Sequence, residues 1–221
     1  EYFPNYKHSR RKGRKESKLD WNYVFDTLHM IKSELIEFFP YKVLEVDNAE
    51  ADDIIASVVF HVASEPKNYE KVLILSSDKD FIQLQKYNFV SQYSPMQKKF
   101  VNGVDPTTYI KEHILKGDRG DGVPNFLSPD NTFVDELRQR PLSKRKLEAW
   151  VDLEPSDYCN EEMMRNYHRN RTLIDLSYIP DDIKEKCTDT FLDAPEGNRK
   201  HLLNYFIKKK LKSLMENIGD F

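Results

Sequence analysis

The sequence predicts an α/β protein with a mostly parallel central sheet flanked by helices and a C-terminal helical subdomain. Three observations predict it. Residues 71 to 81, KVLILSSDKDF, contain four consecutive apolar residues, Val72 to Leu75, as expected of a strand buried on both faces of a parallel sheet. Residues 42 to 47, KVLEVD, read as a shorter strand, and the helical spacing of Ile54, Ile55, Val58, Val59 and Val62 fills the interval between the two. From residue 143 onward the patterns are mainly helical.

Composition narrows the class. A chain of 221 residues can hold one sizeable core, and 39% hydrophobic with 32% charged residues describes a soluble, highly charged protein. No apolar run approaches the roughly 18 to 20 residues of a membrane span, and the N-terminus lacks a signal-peptide core, so the chain reads as cytoplasmic. Cys159 and Cys187 have no CxxC spacing, and the six histidines are scattered. Disulfide and zinc chemistry are therefore disfavoured, and a metal should meet oxygen ligands, as magnesium or manganese does. The net charge is only -3, but residues 7 to 18 hold seven Lys or Arg against one Glu, which leaves 27 basic against 36 acidic residues elsewhere. A basic arm beside an acidic body suits phosphate or nucleic-acid contact; it is equally the composition of a solvated linker. The chain opens at Glu1 without a strand before the arm, which implies an N-terminal portion absent from it.

In chain order, Tyr2, Phe3 and Tyr6 stand among the charges and suit either base stacking or anchoring of the arm. Val24, Leu28, Ile31, Leu35 and Phe38 recur at helical spacing, and Pro40 ends that helix. Asp47 or Asn48 can cap the helix that begins near Ala49. A short helix near 80 to 86, a strand near 88 to 94 and a hairpin edge at 98 to 101 follow. Asp105 and Pro106 start a helix that runs to about Lys116. The next eight residues, GDRGDGVP, hold three glycines and a proline and predict a tight loop that exposes its backbone. Residues 125 to 143 read as loop, 143 to 151 and 155 to 170 as helices, 172 to 180 as extended, Asp181 onward as helix, and 199 to 217 as one last lysine-rich helix.

Carboxylates gather in three distant places: Glu50, Asp52 and Asp53; Asp78 and Asp80; Asp118 and Asp121. Asp78 and Asp80 leave the carboxyl end of a strand, where open α/β sheets place their ligands. The first group also has the ordinary explanation of acidic residues favouring a helix N-terminus. Taken together, seven acids suit a pair of divalent ions about 4 Å apart, which hydrolyse phosphodiesters without a histidine base or a nucleophilic serine.

YKHSR at 6 to 10, AEADD at 49 to 53, LILSSDKDF at 73 to 81, YSPM at 93 to 96 and ILKGDRGDGVP at 114 to 124 resemble the 5′-nuclease family of flap endonucleases and 5′-exonucleases, most closely its T-even phage ribonuclease H branch. The resemblance spans essentially the whole chain. It implies a PIN-like core at 19-116, a basic arch segment at 1-18, and a helix-three-turn-helix with helical region at 117-221. It further implies Glu50 and Asp52 as ligands of a first Mg²⁺, Asp78 between two ions, Asp80, Asp118 and Asp121 at the second, and Asp53 in the outer shell, with Mn²⁺ able to substitute. Lys7 and Arg10 are expected at the scissile phosphate. Arg11, Lys12, Arg14 and Lys15 of the arm, and Lys116, Gly117, Arg119, Gly120, Gly122 and Val123 of the loop, are expected at the nucleic-acid backbone.

The implied activity is a monomeric 5′ to 3′ nuclease on RNA-DNA hybrid and on duplex or flap DNA, removing primers in phage replication inside the infected bacterium. Replisome proteins such as a single-stranded DNA-binding protein or a clamp are its expected partners. Two departures stand out. The family's first-strand aspartate and a second one before the arch have no counterpart after Glu1, and GVPNFLSPDNTF replaces the usual glycine-rich GVxGIG. The first departure favours a structure-specific DNA-binding module as the alternative. A DxD phosphatase is disfavoured, because an acidic strand-helix unit precedes Asp78.

Overall fold

The computed structural model describes residues 2 to 65 and 71 to 221. The basic arm forms a helix, α1 (His8–Glu16), that buries no side chain. Phe3 at its root is buried, so of the two roles open to the arm's aromatics Phe3 takes the anchoring one. Asp20 caps α2 (Trp21–Phe38) by accepting from the amides of Asn22 and Tyr23. At the C-terminal end of this helix's apolar stripe Leu35 and Phe38 pack on Phe39, Leu202 and Phe206, whereas Leu28 and Ile31 are exposed among the described residues.

Residues 42 to 46 are extended but pair with no strand among the described residues, which corrects the strand expected there. Their contact is instead with a helix, the Lys42 ammonium donating to the Phe191 carbonyl at 3.0 Å. Next come α3 (Ala51–Ser64), β1 (Val72–Leu75), a 3-10 turn (Lys79–Lys86), β2 (Val90–Ser94) and β3 (Lys99–Phe100). The described strands form one small mixed sheet in the order β1-β2-β3, with β1 parallel and β3 antiparallel to β2. Val72 lies beside Val90 and Leu75 beside Tyr93.

The expectation that β1 is buried on both faces is overturned. Ile74 enters the core with Ala56 and Val59 of α3 and with Phe81 and Leu84, while Leu73 and Leu75 are 50% and 66% exposed. Alternate side chains leave a strand on opposite faces, and only the Ile74 face is covered.

A second core lies beyond the sheet. α4 (Pro106–Lys116), capped by Asp105, contributes Ile114 and Leu115, which pack on Phe126, on Leu147 of α5 (Lys144–Trp150) and on Tyr167 of α6 (Glu161–Ile174). The extended stretch expected from 172 is corrected: α6 runs on to Ile174, and a 3-10 turn (Leu176–Tyr178) follows. Gln83 decides this break, donating to the Ile174 carbonyl at 3.1 Å and accepting from the Leu176 amide at 2.9 Å. After α7 (Asp181–Asp193), the single last helix resolves into α8 (Leu202–Lys209) and α9 (Lys212–Glu216), separated by Lys210 in the left-handed conformation. The break lets Leu211, Leu214 and Phe221 pack against the cluster that holds Phe206.

α6 also holds the loops in place. Asn166, Arg169 and Asn170 are buried although they are polar. Asn170 donates to the carbonyls of Ile114 (2.8 Å) and Pro124 (3.0 Å), and Arg169 to those of Pro124 and Ser128 and to Asp130 at 2.6 Å. Irregular backbone that leaves water needs such partners.

Candidate active site

The exit of β1 is pinned before it delivers its carboxylates. Buried Gln92 on β2 donates to the carbonyls of Ser76 (2.9 Å) and Asp78 (2.6 Å), and an Asp78 oxygen caps the 3-10 turn by accepting from the Asp80 amide. Facing this exit is the first turn of α3. Its N-cap is Glu50, not Asp47 or Asn48, in a capping box whose other half is the Asp53 carboxylate accepting from the Glu50 amide at 2.8 Å. Asp53 is thus committed to the helix start, and burial raises its pKa. Asp52 is free to turn toward the sheet. Burial, with the like charges of Asp78, Asp80 and Glu50, pushes its carboxyl up to about 6.

The glycine-rich loop supplies the third side. Gly117 has a φ of 68°, and a Cβ there would stand 2.4 Å from the Val123 carbonyl oxygen, so only glycine lets the loop fold back on α4. Asp118 bridges to Val123, whose amide donates to the Asp118 carbonyl at 2.7 Å, and an Asp118 side-chain oxygen accepts from the Asp121 amide. Val123 is buried with its amide so engaged, which corrects its expected place at a nucleic-acid backbone: it closes the loop instead.

His113 of α4 lies between two of the carboxylates, its Nε2 3.3 Å from Asp80 and 3.5 Å from Asp118. Burial works against a charged imidazole there, but Asp118 and Asp80 outweigh it and raise the group to about 9. Reciprocally, His113 draws Asp118 down to about 2 against its own burial. Donor atoms of Asp80, His113 and Asp118 all lie within 4.8 Å of one another.

The arm closes the remaining side. Lys7, left-handed at φ 55°, donates its amide to the Asp121 carbonyl at 2.8 Å, and its ammonium pairs with Glu50 and reaches Asp121 at 3.8 Å. Arg10 pairs with Asp121. The Tyr6 hydroxyl donates to Asp121 at 3.0 Å and lies 3.3 Å from Glu50; burial and those two acids raise its pKa.

A family model described as the 5′-3′ exonuclease N-terminal resolvase-like domain matches residues 1–114, and one for the C-terminal part of T4 RNase H matches residues 105–221. The ribonuclease H of Enterobacteria phage T4 is 36% identical over 223 residues, which is 98% of this chain and 72% of that protein. The chain belongs to the 5′-3′ exonuclease family. The 5′-3′ exonuclease of Buchnera aphidicola from Acyrthosiphon pisum is 33% identical over 69% of this chain and 58% of its own. The fold matches two crystal structures from bacteriophage T5. One is a flap endonuclease with DNA and metal ions, with a TM-score of 0.54 at 17% identity over 87% of this chain and 77% of that one. The other is a protein co-crystallised with metal ions, with a TM-score of 0.53 at 18% identity over 87% and 79%.

Of the residues expected at the site of this family member, Asp52 feels the charges of Asp78 and Asp80, Asp80 and Asp118 meet at His113, and Glu50 and Asp121 stand at the rim beside Lys7 and Arg10. Arg11, Lys12, Arg14 and Lys15 line an exposed helix, where Arg11 donates to the Pro4 carbonyl and Lys12 pairs with Glu136 at 3.0 Å. Lys116 and Arg119 border a separate cleft. Gly120 is exposed, and Gly122 packs against the arm, where a Cβ would be 3.1 Å from the Asn5 carbonyl. His113 and Tyr6 were not expected among the carboxylates. His113 places a nitrogen donor within reach of the oxygen donors expected there. Its only sequence signal is its position one turn before Gly117, on the face of α4 that the loop folds over.

Proposed function

We propose that the chain is the catalytic body of a divalent-metal-dependent 5′ to 3′ nuclease that hydrolyses phosphodiesters of RNA-DNA hybrid and of duplex or flap DNA. One observation carries this reading: Asp52, Asp78 and Asp80, from separate segments, act on one another, and burial with the like charges of Asp78, Asp80 and Glu50 holds Asp52 up at about 6 in spite of Lys7. Carboxylates gathered from separate segments fit hard divalent cations such as Mg²⁺, with Mn²⁺ suited to the added imidazole. Asp52, Asp78, Asp80 and Asp118 would hold such ions, with Glu50 and Asp121 in reach at the rim; when bound, they supply Lewis acidity toward a phosphodiester. The chain's own cations have a distinct task. Lys7 and Arg10 are kept at the rim by Glu50 and Asp121, and a phosphate binds there by exchanging with those carboxylates.

In this reading the protein is a monomer that removes primers during phage replication in the cytoplasm of an infected bacterium, beside a single-stranded DNA-binding protein or a clamp. The test uses a labelled 5′-flap duplex and a nicked RNA-DNA hybrid. Mg²⁺ should promote their cleavage, EDTA should stop it, and Asp78→Asn should abolish it while duplex affinity is retained. Unchanged cleavage by Asp78→Asn would sink the assignment. Binding without cleavage by the unaltered chain would leave the structure-specific binding module in its place.

A further inference from the structure

A buried nitrogen stands unbonded among the carboxylates. The Nε2 atom of His113 has no access to water and, among the described residues, no hydrogen-bond partner. It lies 3.3 Å from Asp80 and 3.5 Å from Asp118, near enough for attraction between charges, yet neither contact has hydrogen-bond geometry. Buried polar atoms are nearly always satisfied, so an orphaned one between two acids points to a partner of another kind.

The three side chains sit on backbone that is already fixed. The Asp80 amide donates to the Asp78 side chain at 3.1 Å, and the Asp118 carbonyl accepts from the Val123 amide at 2.7 Å. The His113 ring stacks on Tyr109 one turn earlier in α4, with ring centres 5.6 Å apart and planes 19° from parallel. Neighbouring ligands of an octahedral ion with bonds of about 2.2 Å stand about 3.1 Å apart, and opposite ones about 4.4 Å. Donor atoms of Asp80, His113 and Asp118 all lie within 4.8 Å of one another, which no other three His, Cys, Asp or Glu side chains achieve among the described residues. The donor set also has a chemical preference. Mg²⁺ takes oxygen ligands and gives up its water reluctantly, whereas imidazole suits the divalent transition ions.

We propose that His113 is a metal ligand through Nε2 and that, with Asp80 and Asp118, it makes a site of one nitrogen and two carboxylates that prefers a divalent transition ion to Mg²⁺. The proposal rests on the reading of the carboxylates as metal-binding. It makes a residue outside the acidic motifs the one that selects the ion. Without a metal the imidazole serves the two acids as countercharge, and a countercharge hinders every divalent cation alike. A ligand favours only those ions that bind nitrogen, so selectivity between ions separates the two roles.

The test measures binding of Mn²⁺, and of Mg²⁺ by its displacement, to the full chain without substrate, together with electron spin-echo spectra of the bound Mn²⁺. The unaltered chain should bind Mn²⁺ at least about tenfold more tightly than Mg²⁺, and its spectrum should carry the modulation of a coordinated imidazole nitrogen. In His113→Gln the Mn²⁺ affinity should fall by at least ~10-fold while Mg²⁺ affinity does not fall, and the nitrogen modulation should vanish. His113→Asp returns an oxygen donor in place of nitrogen and should shift the preference toward Mg²⁺, which decides the matter if the Gln variant does not fold. Bound Mn²⁺ without nitrogen modulation, or a His113→Gln chain that binds both ions more tightly by the same factor, makes His113 a countercharge only; the proposal is then overturned and the metal-binding reading stands. An unaltered chain that binds neither ion overturns both.

Discussion

Two halves of the carboxylate cluster differ in how their charge is met. On one side Asp52, Asp78 and Asp80 repel one another; His113 meets Asp80, Lys7 offsets Asp52 only in part, and burial with the like charges carries Asp52 up to about 6. On the other, Glu50 and Asp121 are met by Lys7, Arg10 and the Tyr6 hydroxyl. Burial pushes Asp121 up as well, but Lys7, Tyr6 and Arg10 pull it back. Both halves are acidic and each holds half-buried carboxylates, Asp52 and Asp80 in one and Asp121 in the other, so acidity alone does not mark a metal centre. The informative quantity is whether the protein supplies the countercharge. Where it does, the acids hold the arm; where it does not, they store unfavourable charge that a cation would relieve.

The largest effect that could break this comparison is expected in Asp52→Asn. In Mg²⁺-dependent cleavage assays it should lose activity by on the order of a hundredfold or more, while calorimetry without metal should show a gain of roughly 1 kcal/mol in stability, as is common when a strained functional group is relieved. Loss of both activity and metal-free stability would show that the acids are not in conflict. Next in size, Mg²⁺ at about a hundred times its dissociation constant should stabilise the unaltered chain by about 2.7 kcal/mol, and Asp78→Asn should lose most of that thermal shift. Lys7→Met tests the compensated half: it strands Glu50 and Asp121 and should cost about 1–2 kcal/mol in urea unfolding, with a gain in stability refuting the pairing.

The smallest effect is a pH dependence. His113 is raised from 6.5 to about 9 in the fold, so its contribution is fully present below 6.5 and disappears as pH climbs through 9. A metal-free melting series should therefore decline across that window, and His113→Gln should flatten the decline. Asp118, held at about 2, behaves oppositely: its contribution is present above its ordinary 3.8 and is lost as pH falls through 2.

Local chemistry explains why some of these features were legible beforehand. Asp105 with Pro106, the α7 start at Asp181, the β2–β3 hairpin and the glycine-rich turn each depend on residues close in sequence, and each lies where the pattern places it. The approach of Asp52 to Asp78 and Asp80 was implied by the family resemblance of the motifs that carry them. What misled was always a matter of neighbours. Residues 42 to 46 have strand composition but no strand beside them, and Leu73 and Leu75 belong to an apolar run that is covered on one face only. α6 looks polar all round because Asn166, Arg169 and Asn170 bury their polar groups against loop carbonyls distant in sequence.

From the sequence alone come the helices that carry their own caps, the carboxylates at the strand exit and in the glycine loop, and membership of an acidic-site family, because caps, turns and motifs act over a few residues. Only the tertiary structure decided that Lys7 and Arg10 spend most of their charge on Glu50 and Asp121, that His113 stands between Asp80 and Asp118, and that Asp52 is left among like charges that Lys7 offsets only in part. Those outcomes depend on distance through space, and electrostatic energy between groups a hundred residues apart is set by the packing that brings them within a few ångströms.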